Sequence, residues 1–344
     1  MKWNRGLIVL SMTVVLAGGV ILGWRSFRVV PREENSPPPW FEDVTEQVGL
    51  DFVHDSGRPG AYFMPQIVGS GAAVFDMKND GRLVLYLLSN GGPESRSTNR
   101  LFRRESDGRF TDITEGSGLD LAGYNMGVAV ADVNNDGLPD VLVTQYGGVR
   151  LFLNNGDGTF TDSTREAGLE HPRWGTSAAF VDYDRDGWLD LVVVNYIRYD
   201  PSVPCHSAGG RLDFCAPHSF PGTVTNLYRN LGRTSPHPSP GRAPLVRFRD
   251  VTELSGLGKA VGPGLGVVCA DFDGDGWPDI LVANDGRPNH LWINQRDGLF
   301  KEEAVTRGLA FNSMGQTEAN MGVAIGDVDG DGNLKIGLSD EYWG

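Results

Sequence analysis

Beyond residue 40 the apolar positions fall in short runs broken by Asp, Asn and Gly, without the sustained 3.6-residue recurrence of a long helix. One phrase returns five times: a strand of small residues, an Asp-rich loop and a second apolar strand. It reads GAAVFDMKNDGRLVLYLL from Gly71, GVAVADVNNDGLPDVLVT from Gly127, SAAFVDYDRDGWLDLVVV from Ser177, GVVCADFDGDGWPDILVA from Gly266 and GVAIGDVDGDGNLKIGLS from Gly322. The leading Asp of the loop stands at 76, 132, 182, 271 and 327, so the steps are 56, 50, 89 and 56 residues. Two further strands follow most copies, RLFRR, RLFLN, NLYRN and HLWIN, then FTDIT, FTDST, FRDVT and FKEEA.

Four short strands per unit of about 50 residues predict an all-β fold, a β-propeller of four-stranded blades. Four blades are complete and half of a fifth is present before Gly344, so the chain is expected to be truncated, with an unpaired strand edge there. A copy of the fourth strand, FEDVT, stands at Phe41 ahead of the first Asp loop, and is expected to latch the ring by completing a blade. The long step holds an insertion at about 198–245, expected between the second and third strands of blade three and containing eight prolines, Cys205 and Cys215. It reads either as a cover pinned by a disulfide or as a binding element.

The loop D-x-[DN]-x-D-G-x-x-D places oxygen side chains at positions 1, 3, 5 and 9 and a main-chain carbonyl at 7, with Gly at 6 for the turn. Such a set suits calcium, a hard ion that takes six to eight oxygens, and no His or Cys occupies a ligand position. Blade two offers Asp132, Asn134, Asp136, the Leu138 carbonyl and Asp140. Blade three offers Asp182, Asp184, Asp186, the Trp188 carbonyl and Asp190; blade four offers Asp271, Asp273, Asp275, the Trp277 carbonyl and Asp279. In blade five Asp327, Asp329, Asp331 and the Asn333 carbonyl remain but Lys335 takes position 9, which predicts weak binding. In blade one Lys78 and Val84 replace two ligands, which predicts an empty site. Trp188 and Trp277 are expected to pack between blades, with stacking on sugars as the alternative.

The first forty residues stand apart. Lys2 and Arg5 precede an apolar run at 7–24, followed by Arg25, Arg28, Arg32 and the stretch EENSPPPW. Residues 1–24 read as a signal anchor or a signal peptide and 25–40 as a stiff Pro-rich linker, with the propeller at 41–344. Eighteen apolar residues sit at the lower limit for spanning a bilayer, and no clear small-residue cleavage site follows. Export to the cell surface or periplasm, or secretion, is the expectation, with the N-terminal segment as the membrane contact. An oxidising compartment favours a Cys205–Cys215 disulfide over a zinc site made with His206 and His218, while Cys269 sits in a buried strand pattern.

The balance of 44 acidic against 30 basic residues, a net charge of −14, argues against a nucleic-acid partner. The six histidines do not recur with the blades, and His54 beside Asp55 is the one pair that suggests acid–base chemistry. The expected function is therefore a non-catalytic binding or adhesion scaffold for an extracellular protein or glycan. The alternative is a propeller, catalytic or not, belonging to a polysaccharide-active enzyme such as a lyase, or to a quinone-dependent enzyme.

The repeated phrases resemble the FG-GAP and VCBS repeats of integrin-like propellers. FEDVTEQVGLDFVHDSG at Phe41, GSGAAVFD at Gly69 and CHSAGGRLDFCAPHSFPG at Cys205, running into NLYRN, are similar to the cartilage acidic protein group. That resemblance implies calcium-loaded blades and an extracellular or surface setting. Members of the group continue into an ASPIC/UnbV domain, which is not found before Gly344.

Overall fold

A computed structural model describes residues 40–234, 243–332 and 334–340. The apolar segment 7–24, the linker through Pro39, His237, the prolines at 236, 238 and 240, and Asn333 lie outside the described residues. The chain divides into two units, Met1–Val44 and Thr45–Gly344. In the first, residues 40–44 form neither strand nor helix.

The second unit is nearly all β, as the repeat predicts. Blade one is β1 (Ala72–Asp76), β2 (Leu83–Leu87), β3 (Arg100–Arg104) and β4 (Phe110–Asp112). Blade two is β5 (Asn125–Ala131), β6 (Asp140–Gln145), β7 (Gly148–Asn154) and β8 (Phe160–Asp162). Blade three holds β9 (Gly175–Val181), β10 (Asp190–Asn195), a small hairpin of β11 (Cys205–His206) and β12 (Leu212–Asp213), then β13 (Asn226–Arg233) and β14 (Val246–Asp250). Blade four is β15 (Gly264–Ala270), β16 (Asp279–Asn284), β17 (His290–Asn294) and β18 (Phe300–Glu302), and a fifth sheet pairs β19 (Asn320–Gly326) with β20 (Lys335–Asp340). Every four-stranded blade is an antiparallel meander, and outside blade three its strands follow one another directly in the chain.

The second strands of blades two, three and four are buried on both faces, so they read as apolar runs instead of alternating. In β6, Val141 and Val143 pack towards Tyr86 and Leu101 of blade one. Leu142 between them packs towards Leu191 and Val193 of blade three. The cores therefore lie between blades, and Ile280, Val282 and Leu281 of β16 divide in the same way. Each fully buried aliphatic contributes about 1.5–3 kcal/mol. A glycine after each fourth strand sets the spacing. Gly168 (φ +77°) and Gly256 (φ +94°) are left-handed, and an added Cβ would meet the Phe248 carbonyl at 3.2 Å and the Phe300 carbonyl at 3.1 Å in the next blade.

Two expectations are corrected. FEDVT at Phe41 makes no strand; the turn that follows a fourth strand in the other copies forms after it, as α1 (Thr45–Val48). Its counterpart in blade three is α2 (Thr252–Ser255). The insertion is not one segment between second and third strands, because β13 lies inside it. One part, 196–225, joins β10 to β13; the other, 234–245, joins β13 to β14.

The first part acts as a wedge. Elsewhere the end of one blade's second strand bridges directly to the next blade's first strand, as in Gly92 to Gly123, Tyr146 to Trp174 and Asp285 to Ala319. Between blades three and four, Ile197 bridges to Gly222 and Thr223 to Gly262, so the insertion stands between them. Cys205 and Cys215 are bonded, with Cα atoms 5.1 Å apart.

Candidate metal centres

All five Asp loops lie at the same end of the strands and close by the same hydrogen bonds. The first carboxylate accepts the N–H groups of positions 5 and 6: Asp132 from Asp136 (3.0 Å) and Gly137 (2.7 Å), Asp182 from Asp186 and Gly187 (both 3.0 Å), Asp271 from Asp275 (3.0 Å) and Gly276 (2.8 Å). Asp76 and Asp327 do the same. The residue at position 4 is left-handed, as at Asn135 (φ +53°) and Arg185 (φ +58°).

The ninth carboxylate lies deepest. Asp140, Asp190 and Asp279 are buried, and each divides its oxygens between two main-chain donors. One oxygen accepts from position 2 of its loop, Val133 (3.1 Å), Tyr183 (3.2 Å) or Phe272 (2.9 Å). The other accepts from the last residue of the third-strand motif, Asn154 (2.8 Å), Asn230 (2.7 Å) or Asn294 (2.8 Å). Burial outweighs these hydrogen bonds and pushes the Asp140 and Asp190 carboxyls up to about 8 and that of Asp279 up to about 6. A bound cation would reverse that preference, because it favours the ionised form.

Three carboxylates converge in blades three and four: Asp182, Asp184 and Asp190, and Asp271, Asp273 and Asp279, with their nearest oxygens within 4.8 Å of one another. Asp184 Oδ1 is buried without a hydrogen-bond partner, while Oδ2 of the same carboxylate meets Arg229 at 2.7 Å. The residues therefore fit a hard divalent cation. The position-5 carboxylates face elsewhere. Asp186 meets Arg229 at 3.0 Å, which also sits 2.7 Å from Asp184, and Asp275 meets Arg296 at 2.7 Å. Main-chain N–H groups of Leu138, Trp188 and Trp277, the residues whose own carbonyls were the expected ligands, bond the position-5 carboxylates.

The other loops differ. In blade two Asp132, Asp136 and Asp140 form no such cluster, because Asn134 at position 3 gives its amide to Asp136 (2.9 Å) and the Pro244 carbonyl (3.2 Å). In blade five Asp327, Asp329 and Asp331 converge, but Lys335 Nζ already lies 3.1 Å from Asp329 and 2.9 Å from Asp331. In blade one Arg82 takes Asp80 at 2.6 Å.

Sequence reading missed two ties between neighbouring loops. Asn154, Asn230 and Asn294 each donate a side-chain N–H to the position-2 carbonyl of the preceding blade: Met77 (2.8 Å), Val133 (2.8 Å) and Tyr183 (2.9 Å). The signal was present, since RLFLN, NLYRN and HLWIN end in Asn where the loop has Asp at position 9, whereas blade one pairs Arg104 with Val84. The second tie runs from position 4 to the position-6 carbonyl of the next loop: Asn79 to Gly137, Asn135 to Gly187 (3.0 Å) and Arg185 to Gly276 (3.3 Å). In blade four Gly274 has no side chain to continue it.

The tryptophans pack against their surroundings. Trp188 lies against the core and Gly232, and Trp277 lies beneath the Arg185 guanidinium, 5.4 Å from its centre. His54 and Asp55 have separate partners, Ser70 (3.2 Å) for the imidazole and Ser95 (2.7 Å) for the carboxylate.

Several solved structures are similar in part. A lectin from Agrocybe aegerita, described as recognising non-reducing terminal N-acetylglucosamine, is 17% identical over 77% of this chain and 59% of its own, with a TM-score of 0.39. The V. cholerae biofilm matrix protein Bap1 is 14% identical over 67% of this chain and 27% of its own, with a TM-score of 0.32. The chain thus spans less than two thirds of either. No curated protein sequence matches it. The FG-GAP-like repeat model matches residues 76–143, 132–193 and 271–337, together more than half of the chain, and the chain belongs to that family.

Proposed function

We infer that the protein is a non-catalytic, calcium-stabilised binding scaffold working outside the cytoplasm, of the cartilage acidic protein type. The observation that carries this reading is the convergence of Asp182, Asp184 and Asp190 around a buried carboxylate oxygen that lacks any donor. Asp271, Asp273 and Asp279 converge in the same way in blade four, where Asp273 also meets Arg307 at 3.2 Å. Calcium there would neutralise clustered charge and hold adjoining blades in register; it has no substrate to activate. The Cys205–Cys215 bond and the apolar segment at 7–24 support export and membrane attachment. A protein or glycan ligand is the expected partner.

Chelation of the full chain should lower its melting temperature, and Asp184→Asn should remove part of that response. A site held at 100 times its dissociation constant contributes about 2.7 kcal/mol. Identical melts with and without chelator would overturn the reading.

A further inference from the structure

The opposite end of the strands carries a different surface. Beside the insertion lies a cavity of about 760 Å³, within the size range of small-ligand sites. Tyr146 and Trp174 form one wall, Arg198, Tyr199 and Thr223 of the insertion form the other, and Arg173 stands at the rim. Trp174 is buried, while Tyr146 and Tyr199 are half-exposed and meet edge-on, 6.2 Å between centres.

Two arginines and no carboxylate line this cavity, in a chain of net charge −14. Arg173 donates to the neutral amide of Asn226 (2.8 Å), and the Arg198 guanidinium is exposed with no ion-pair partner among the described residues. Asp200, next along the chain, is occupied by Ser202 at 2.7 Å. Cavities continue on both sides, one sharing Tyr146 and Pro172, the other Pro221 and Val261. Together they form a trough longer than one ring-sized ligand, whose outer parts carry Glu170 on one side and Asp285, Arg287 and His290 on the other.

Main-chain donors at this mouth are already taken. Gly147 bonds the Arg173 carbonyl (3.1 Å), Arg198 the Pro221 carbonyl (2.9 Å) and Thr223 the Gly262 carbonyl (3.1 Å). An extended peptide would find no strand edge to pair with. What remains is recognition by ring faces, which suit the C–H faces of a sugar, and by guanidinium forks, which suit carboxylate.

We propose that this trough binds a linear anionic saccharide, with a uronate residue resting against the exposed parts of Tyr146 and Tyr199 and its carboxylate held by Arg198 and Arg173. This rests on the binding-scaffold reading and names its site and ligand class. The test is calorimetric titration of the full chain, in calcium, with an oligogalacturonate, its methyl ester, the neutral oligogalactose of equal length and an oligoglutamate. The oligogalacturonate should bind and the other three should bind at least tenfold more weakly. Arg198→Gln should weaken it about tenfold to a hundredfold with an unchanged melting curve, as loss of a charge-assisted pair implies. Equal binding of the ester or of oligoglutamate overturns the proposal, as does full affinity in Arg198→Gln, which would place any uronate binding elsewhere, including at the calcium loops. Absence of oligogalacturonate binding overturns it as well, yet leaves the chelator-dependent melt, and so the scaffold reading, standing.

Discussion

The two ends of the strands are built by different rules. At the Asp-loop end, blades one to four repeat one set of hydrogen bonds, and neighbouring loops are tied by side chains such as Asn135 and Asn230. At the other end three junctions share one direct bridge, but an insertion with its own hairpin and disulfide separates blades three and four. Repetition maintains the fold, because each blade buries its faces only against a neighbour. The irregular end is free to carry recognition, as loops on a rigid scaffold generally do.

The largest effect should come from the repetitive end. Asp190→Ala leaves the N–H groups of Tyr183 and Asn230 buried without an acceptor, at about 1–3 kcal/mol each. Stability should fall by about 3 kcal/mol or more in denaturant titrations, with chelator as well as with calcium. A loss seen only with calcium would mean that Asp190 acts through the ion alone. Asp80→Ala in blade one, where that carboxylate meets only exposed groups, should leave the curve unchanged.

That contrast also explains what the sequence made legible. The blades, the strand order and the Asp loops could be read because each is spelled several times in phase. The convergence of only three carboxylates could not, because Arg229 and Arg296 draw Asp186 and Asp275 aside from positions distant in the chain. Nor could the trough, whose walls come from residue 146, residues 172–174 and residues 197–199, brought together by a wedge with no counterpart in other blades. The motif NLYRN lies inside the 89-residue step, so the extra residues of blade three fall into two parts on either side of a third strand.

A smaller effect is expected at the irregular end. Replacing both Cys205 and Cys215 with Ser opens a loop of sequence separation 10, which removes about 2.5–3 kcal/mol of restraint in the chain-entropy model. Most of that should appear as local opening, read as faster proteolysis and hydrogen exchange across 198–225. The calcium-dependent shift in melting should be unaltered. A diminished calcium response would show that the wedge between Ile197 and Gly262 governs the loop end as well, and the comparison between the two ends would fail.

The smallest effect tests how the loops are joined. Asn135 sits at position 4 of the blade-two loop and donates to the Gly187 carbonyl, next to the Trp188 peptide of the blade-three loop. Asn135→Ala removes one exposed neutral hydrogen bond, so the stability change should be about 0.5–1 kcal/mol. Its sharper consequence concerns coupling. If one loop's occupancy steadies the next through this bond, calcium titration by calorimetry should become less steep in the variant while its total heat is nearly unchanged. Blade four provides the internal comparison, since Gly274 already lacks the tie to blade five. Equal steepness in Asn135→Ala and the parent would mean that the loops bind independently, and that the bonds between them serve packing alone.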